Sequence, residues 1–196
     1  CAAGLEEHPY TVIYNGVDTS VFCRLELKKA NNQVLFAGTV ARRKGIYELF
    51  DAIPIVLKAI PDARFTIVGR LPALQDQRKV LINELLSRLP VEKHSAVEFT
   101  GARPYTEMPS WYNKATCAVF PSLAEAYGLT CAEAMACGTP VVMTSRASGP
   151  EIVENGFSGL LISPDDKQAL ADAMIFLLSN LREHTRISEN AVLRIS

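Results

Sequence analysis

The sequence has no excess of either charge, few histidines and no long apolar run. Its 20 lysine and arginine residues nearly balance 21 aspartate and glutamate residues, which leaves a net charge of −1 over 196 residues. A nucleic-acid-binding surface or a polybasic membrane patch would need a basic excess, and no apolar run approaches the ~20 residues that span a bilayer. We therefore expect no nucleic-acid partner, a cytoplasmic location and, at most, peripheral association with the inner face of a membrane.

The cysteines lack the pattern of a metal site or of a disulfide framework. There are five, an odd number, and no two of them form a CxxC pair. Cys117, Cys131 and Cys137 lie in apolar segments beside alanines. We therefore expect reduced, mostly buried thiols, as in cytosolic proteins. No histidine or other base lies next to a cysteine in the sequence, which argues against a catalytic thiol.

Several common catalytic and nucleotide-binding motifs are also absent. The sequence has no GxGxxG fingerprint, no GxxxxGK(S/T) phosphate loop and no HExxH or GxSxG motif. These absences argue against the commonest nicotinamide-dependent, P-loop, zinc-protease and serine-hydrolase designs. The three histidines, His8, His94 and His184, lie far apart in polar stretches. We expect them at the surface, and we expect no metal site.

Short apolar runs alternate along the chain with segments of helical periodicity. Six runs have the length and composition of buried strands: residues 33–39, 63–69, 96–101, 116–122, 139–144 and 158–163. Continuous apolar strands that alternate with helices indicate a parallel sheet covered on both faces. We therefore predict an α/β fold with a Rossmann-like, doubly wound parallel sheet.

Apolar spacing predicts the connecting helices. They fall at residues 45–60, 74–89, 105–114, 128–137, 165–178 and from 181 onwards. Pro54 is expected to kink or restart the first helix. Asp165 with Gln168 resembles a capping box at the start of the fifth. The first ~30 residues show no such periodicity, and Asn15-Gly16 indicates a turn within them.

The loop that follows the first strand is basic. It lies at the carboxyl end of that strand, where ligands bind in such a sheet. Arg42, Arg43 and Lys44 stand just before a helix start, where cations and exposed amides favour a diphosphate. A solvated basic turn fits the same residues. Gly38, at the end of the strand, suits either a tight turn or the close approach of a ligand to the backbone.

The loop after the fourth strand leads to two glutamates eight residues apart, Glu125 and Glu133. Glu133 lies among alanines and apolar residues, and a carboxylate buried there needs a partner because an isolated charge is costly to bury. Thr130, Glu133 and Cys137 share one stripe of the predicted helix. Backbone amides at residues 126–129 would bind an anion. Glu125 would then hold sugar hydroxyls, and Glu133 would accept hydrogen bonds from ribose hydroxyls.

An ordered set of segments resembles a known family. EAYGLTCAE is similar to the glutamate–seven residues–glutamate motif of retaining glycosyltransferases of the GT-B fold, family 4 in particular. The other matching segments are VIYNGVD, FAGTVARRKG, FTIVG, VEFTG, VFPSLAEAYGLTCAEAMACGTPVV and GPEIVENGFSGLLISPDD. They follow in the family's order over roughly residues 10–190. The order makes the resemblance much more specific than any one segment.

The resemblance implies roles for individual residues. Glu125 matches the glutamate that contacts the transferred sugar, Glu133 the one that holds the ribose, and Lys44 the lysine that contacts the diphosphate. The segment whose amides meet the phosphates and sugar matches Tyr127, Gly128, Leu129 and Thr130. Gly38 belongs to the first donor-binding loop. The family commonly has an arginine directly after this glycine, where the chain has Thr39, so Arg42 or Arg43 would supply the second cation.

The resemblance also implies a domain organisation and a reaction. Residues 1–30 would be an irregular segment leading from a missing N-terminal domain, residues 31–180 the nucleotide-sugar-binding domain, and residues 181–196 its terminal helix. The implied enzyme moves a sugar from a nucleoside diphosphate sugar to an acceptor hydroxyl, with retention and without a metal cofactor.

The acceptor, a sugar, lipid or small molecule, would bind through the missing domain, so the chain alone would be inactive. A non-catalytic sugar-nucleotide binding module, or half of a GT-B-like sugar-nucleotide epimerase, is the alternative. The tandem glutamates favour the transferase.

Overall fold

The computed structural model describes residues 15–195. They form a six-stranded, all-parallel sheet in the order β3-β2-β1-β4-β5-β6. The strands are β1 (Gln33–Ala37), β2 (Arg64–Val68), β3 (Val97–Gly101), β4 (Cys117–Phe120), β5 (Val141–Thr144) and β6 (Leu160–Ile162). The predicted doubly wound α/β fold is confirmed. Its strand order reverses between β1 and β4, and ligands bind at this kind of switch point.

Seven helices cover the two faces of the sheet within the described residues. They are α1 (Ile46–Ala59), α2 (Gln75–Leu86), α3 (Met108–Lys114), α4 (Leu129–Ala136), α5 (Gly149–Ile152), α6 (Lys167–Ser179) and α7 (Leu181–Ile195). Helices α1 and α6 lie on one face, α3 and α4 lie on the other, and α7 packs against both α4 and α6. No helix in this part of the chain has the length and apolar character needed to cross a bilayer.

The strands alternate their side chains between two apolar layers, as a sheet covered on both faces requires. In β1, Val34 and Phe36 pack under α1, whereas Leu35 and Ala37 pack under the opposite helices. Every residue of β4 is buried. The same apolar run therefore serves two cores, which is why the sequence shows continuous rather than alternating hydrophobicity.

A restart of the first helix at Pro54 and a cap at Asp165 were predicted wrongly, and the alternative of a kink at Pro54 stays a prediction. Helix α1 runs through Pro54 without restarting, and seven buried residues along it fix the helix on the sheet although proline removes one backbone hydrogen bond. The start of α6 is capped by Asp166, whose Oδ1 accepts from the amide of Ala169 at 2.9 Å. The predicted cap, Asp165, instead forms an ion pair with Arg146.

The N-terminal segment, residues 15–32, contains no helix or strand, as predicted for its described part. Its turns lie at residues 19–21, where the amide of Phe22 bonds to the carbonyl of Asp18 at 2.8 Å, and at residues 31–32, and not at Asn15-Gly16. Phe22 is fully buried against the sheet. Asn113 of α3 fixes this segment by accepting from the amide of Leu25 at 2.8 Å and donating to a carbonyl oxygen at 2.9 Å.

The described cysteines are free thiols, and Cys117, Cys131 and Cys137 are buried as expected. Burial raises the pKa of Cys117 to about 12, so this thiol is a weak nucleophile. His184 is 8% exposed, which corrects its expected surface position; its Nε2 lies 2.9 Å from the carbonyl oxygen of Thr116. Burial lowers the pKa of His184. His8, Cys1 and the first residues of the VIYNGVD segment lie outside the described residues.

Candidate functional site

Glycines end the three strands on one side of the switch point, and one of them, Gly69, is required by packing. Gly38, after β1, has a φ of +153°, which favours glycine. A Cβ placed on Gly69, after β2, would lie 1.6 Å from the carbonyl oxygen of Gly38. The strand ends therefore approach each other more closely than any side chain permits. This leaves bare backbone at the carboxyl edge of the sheet.

A cleft of about 290 Å³ lies over these glycines. Its floor includes Gly38 and Gly69, and its walls include Tyr105, Thr130 and Glu133. It therefore joins the ends of β1, β2 and β3 to one face of α4. A slightly larger cavity of 330 Å³ lies at the amino ends of β1 and β4, around Asn32 and Thr116, away from the predicted binding residues. The first cleft is the candidate site, because it contains Glu133, one of the predicted binding residues, together with exposed backbone at Gly38 and Gly69.

Glu133 is half-buried on this cleft wall, and the partner that the sequence required is Tyr112 of α3. The Tyr112 hydroxyl donates to Oε2 of Glu133 at 3.0 Å. Burial raises the pKa of Glu133, and the bond from Tyr112 acts in the opposite direction. Burial, followed by the nearby Glu133 charge, raises the pKa of Tyr112 well above its usual range, so the tyrosine is a donor. The carboxylate thus has one fixed protein contact beside open space.

The loops after β1 and β4 are locked together beside this cleft. Gly45, the residue before α1, has a φ of +73°, and a Cβ there would lie 1.8 Å from the carbonyl oxygen of Pro121. The carbonyl oxygen of Arg43 accepts from the amides of Leu123 at 2.9 Å and Ala124 at 3.2 Å. These contacts set the spacing of the side chains that the two loops carry.

Lys44 and Glu125, predicted from the two separate loops, meet in an ion pair. Nζ of Lys44 lies 2.5 Å from Oε2 of Glu125, and the side chains are 18% and 11% exposed. Glu125 also accepts from the Ser122 hydroxyl at 3.2 Å and from the amide of Ala126 at 3.2 Å. A lysine ammonium has three donors. Lys44 can therefore keep this contact and bind a second anion as well.

Helix α4 starts beside this ion pair without a side-chain cap. Gly128 holds the N-cap position with a φ of +94°. The first amides of a helix have no partner within it, and the helix dipole makes this end attractive to anions. The preceding Tyr127 donates its hydroxyl to the carbonyl oxygen of Asn15 at 2.6 Å. The Tyr127–Thr130 stretch thus brings backbone amides to the carboxyl edge, next to Glu125.

Arg42 and Arg43 are exposed and do not line the cleft. The Arg42 guanidinium lies 5.3 Å from the ring centroid of Tyr47, on the outer side of α1. The arginines that line the cleft are Arg70 and Arg103, which sequence reasoning missed. Their signal was positional, because each follows closely on the glycine that ends its strand. Among residues 15–195, no group of three or more histidine, cysteine, aspartate or glutamate residues is arranged to hold a metal ion.

Comparison with known proteins identifies related sequences. Residues 31–180 match the model of a family described as glycosyl transferases group 1. One similar curated relative is a D-inositol 3-phosphate glycosyltransferase of Corynebacterium urealyticum, 35% identical over 158 residues, which are 80% of this chain and 37% of the relative. The chain spans between 37% and 56% of the curated relatives that it matches most strongly.

Solved structures agree in fold. One is the C-terminal domain of the group 1 family glycosyl transferase LpcC from Francisella tularensis, with 27% identity and a TM-score of 0.79 over 92% of this chain and 96% of that one. Another is Anabaena HepE in complex with UDP and glucose, with 26% identity and a TM-score of 0.78 over 93% of this chain and 51% of that one. The chain therefore belongs to the group 1 glycosyl transferases and has the fold of the C-terminal domain of a GT-B enzyme.

Proposed function

We propose that this chain binds the nucleotide-sugar donor of a retaining glycosyltransferase. The observation that carries the proposal is the arrangement at one sheet edge. Glu133 faces a cleft floored by bare backbone, and the Lys44–Glu125 pair lies beside the uncapped start of α4. A diol, a diphosphate and a sugar could be held along this edge in that order. The Anabaena relative, solved with UDP and glucose, supports the same ligand class.

The proposed roles follow from the chemistry of each group. Ionised Glu133 accepts from the two ribose hydroxyls, because a carboxylate has several acceptor positions and only one is taken by Tyr112. The amides at the start of α4 and the Lys44 ammonium bind the diphosphate. Glu125, held by Lys44, Ser122 and the amide of Ala126, accepts from hydroxyls of the donor sugar.

The proposed reaction breaks the bond between the anomeric carbon and a diphosphate oxygen. A new bond forms to the acceptor oxygen with the same stereochemistry, and the acceptor hydroxyl gives up its proton to an oxygen of the leaving diphosphate. Negative charge grows on the leaving diphosphate, where preorganised cations and helix amides stabilise it most. We propose that Lys44, with the cleft arginines Arg70 and Arg103, supplies this positive charge without a metal ion.

The acceptor would bind to a part of the enzyme outside this chain. Holding an acceptor in line with the anomeric carbon removes a large part of the barrier, up to roughly 7–11 kcal/mol. We therefore propose that the chain alone binds donor weakly and transfers nothing. A labelled donor incubated with the chain and with the longer enzyme tests this, and product formed by the chain alone at the rate of the longer enzyme would refute it. We also propose a cytoplasmic location, where the free thiols stay reduced, and peripheral contact with a membrane if the acceptor is a lipid.

Calorimetry with UDP, GDP and ADP tests the donor site directly. Glu133→Ala should weaken binding of the preferred diphosphate by about 1–3 kcal/mol, the value of charge-assisted hydrogen bonds. Glu92→Ala removes an exposed glutamate just before β3, at the opposite edge of the sheet, and serves as the matched control. If Glu133→Ala and Glu92→Ala bind the diphosphate equally well, Glu133 does not hold the ribose.

A further inference from the structure

Tyr112 is held by contacts that extend from the N-terminal segment to the cleft. Its side chain is fully buried, and its ring centroid lies 6.1 Å from that of Phe22, which is also fully buried. The Thr139 hydroxyl donates to the Tyr112 carbonyl oxygen at 2.8 Å. The next residue, Asn113, makes two hydrogen bonds to the N-terminal segment. Its side chain accepts from the amide of Leu25 and donates to the carbonyl oxygen of Cys23. The tyrosine ring therefore has little freedom to move, and its hydroxyl has a fixed position at the cleft wall.

That fixed hydroxyl constrains Glu133. A glutamate side chain on a helix surface samples several rotamers, and its terminal torsion is broad. The bond from Tyr112 to Oε2 selects one orientation and leaves Oε1 for another donor. No other hydrogen bond to this carboxylate is found among the described residues. The orientation is therefore set by a residue on α3, not by α4, which carries the glutamate.

We propose that Tyr112, braced by Phe22, is a positioning residue that orients the Glu133 carboxylate toward the ribose diol of the donor. This inference rests on the proposed function, because it assumes that Glu133 meets the ribose. It adds that ribose recognition depends on the N-terminal segment through Phe22. The ring of Phe22 also contacts Tyr105 of the cleft wall, with centroids 5.0 Å apart in an edge-to-face arrangement. The segment that leads into the domain is thus in contact with the nucleotide site.

Tyr112→Phe tests the positioning role, because it keeps the ring and removes only the hydroxyl. The probes are UDP and GDP, each compared with its 2′,3′-dideoxy analogue by calorimetry. We expect the native chain to prefer the ribonucleotide by about tenfold or more, as expected for hydrogen bonds to a charged group. Tyr112→Phe should lower that preference several-fold while the affinity for the dideoxy analogue stays unchanged.

A second readout distinguishes positioning from packing. Ribose binding needs ionised Glu133, so affinity falls as the pH drops through the pKa of this carboxyl. The Tyr112 bond lowers that pKa, so Tyr112→Phe should move the acid limb of UDP or GDP binding to higher pH. Loosened packing that lets water reach Glu133 would lower its pKa, because burial raises it, and would move the limb to lower pH. Tyr47→Phe is the matched control, since Tyr47 donates to Glu84 at 3.1 Å in the other layer.

The outcomes separate this inference from the proposed function. If Glu133→Gln leaves the preference for ribonucleotide intact, the proposed ribose role fails. If Glu133→Gln removes the preference but Tyr112→Phe leaves both it and the acid limb unchanged, only the positioning role is overturned. Phe22→Leu provides a second variant that keeps the Tyr112 hydroxyl and loosens its brace. A folded Phe22→Leu chain with the full ribonucleotide preference would overturn the coupling to the N-terminal segment.

Discussion

Replacing Lys44 by methionine should destabilise the domain through Glu125. Methionine keeps most of the length of the lysine side chain and removes its charge. Glu125 would then remain as a carboxylate 11% exposed, supported by the Ser122 hydroxyl and the amide of Ala126, both at 3.2 Å. Burying a charge without an opposite charge is unfavourable. The loss therefore comes mainly from the unpaired glutamate.

The expected size lies between two limits. Removing one partner of a fully buried ion pair costs about 3–5 kcal/mol, whereas exposed pairs contribute about 0.2–1 kcal/mol. The 18% and 11% exposures of Lys44 and Glu125, and the two remaining hydrogen bonds, place this pair between those limits. We expect Lys44→Met to lower the free energy of unfolding by about 2 kcal/mol, which corresponds to a fall in Tm of about 4–8 °C at this chain length.

Chemical denaturation of a double-mutant cycle measures this effect. Lys44→Met with Glu125→Gln should recover most of the lost stability, because the neutral amide no longer needs a cation. The Arg88–Asp51 pair is a matched control with the same 2.5 Å separation but exposures of 32% and 38%, so Arg88→Met should cost about 1 kcal/mol or less. If Lys44→Met costs no more than Arg88→Met, or if the double variant recovers nothing, the unpaired Glu125 carboxylate is not the source of the lost stability.

Three further predictions concern the cleft. Glu133→Gln should raise the free energy of unfolding at neutral pH, since burial raises the pKa of Glu133 above its ordinary value of 4.5 and ionisation therefore costs stability; a fall at pH 7 in denaturant titrations would contradict this. Gly69→Ala should cost at least about 3 kcal/mol, because its Cβ would lie 1.6 Å from a backbone oxygen. Gly101→Ala, with open space around the added Cβ but a φ of +75°, should cost about 1–2 kcal/mol from backbone strain alone. EDTA should leave UDP and GDP affinity unchanged by calorimetry, and a loss restored by added Mg²⁺ would show that a metal takes part.

Much of the fold follows from local patterns that need no knowledge of distant contacts. Six apolar runs separated by helical segments predict a parallel sheet, and the right-handed crossover rule limits how such strands can be ordered. The errors arose where a neighbour decides the outcome. Pro54 does not restart α1, because the helix is held by its buried face. Asp166 caps α6, whereas Asp165 pairs with Arg146, which lies in a loop nineteen residues earlier.

Part of the candidate site could be predicted from the sequence, because some of its residues lie in short continuous segments. Glu125 and Glu133 lie within one continuous segment, and Lys44 lies in a basic loop at the end of a strand. That Lys44 and Glu125 pair with each other, 81 residues apart, depends on the adjacency of β1 and β4. Tyr112 gave no signal as a partner of Glu133, because its hydroxyl meets the carboxylate only when α3 packs against α4.

The burial of Glu133 is easier to explain as a binding feature than as a structural one. Its pKa is raised mainly by burial, so its ionised form is disfavoured in the folded chain. The contribution of Glu133 to stability is then fully present below pH 4.5 and is lost as the pH rises through its folded-state pKa. Tyr112 offsets part of this cost with one hydrogen bond. A ribose diol would supply further donors to the ionised carboxylate. These hydrogen bonds would stabilise the charge that burial disfavours, and they would therefore contribute to ligand affinity. A glutamine would satisfy the unliganded fold better, and this is why the predicted gain in stability of Glu133→Gln and its predicted loss of nucleotide binding have the same physical origin.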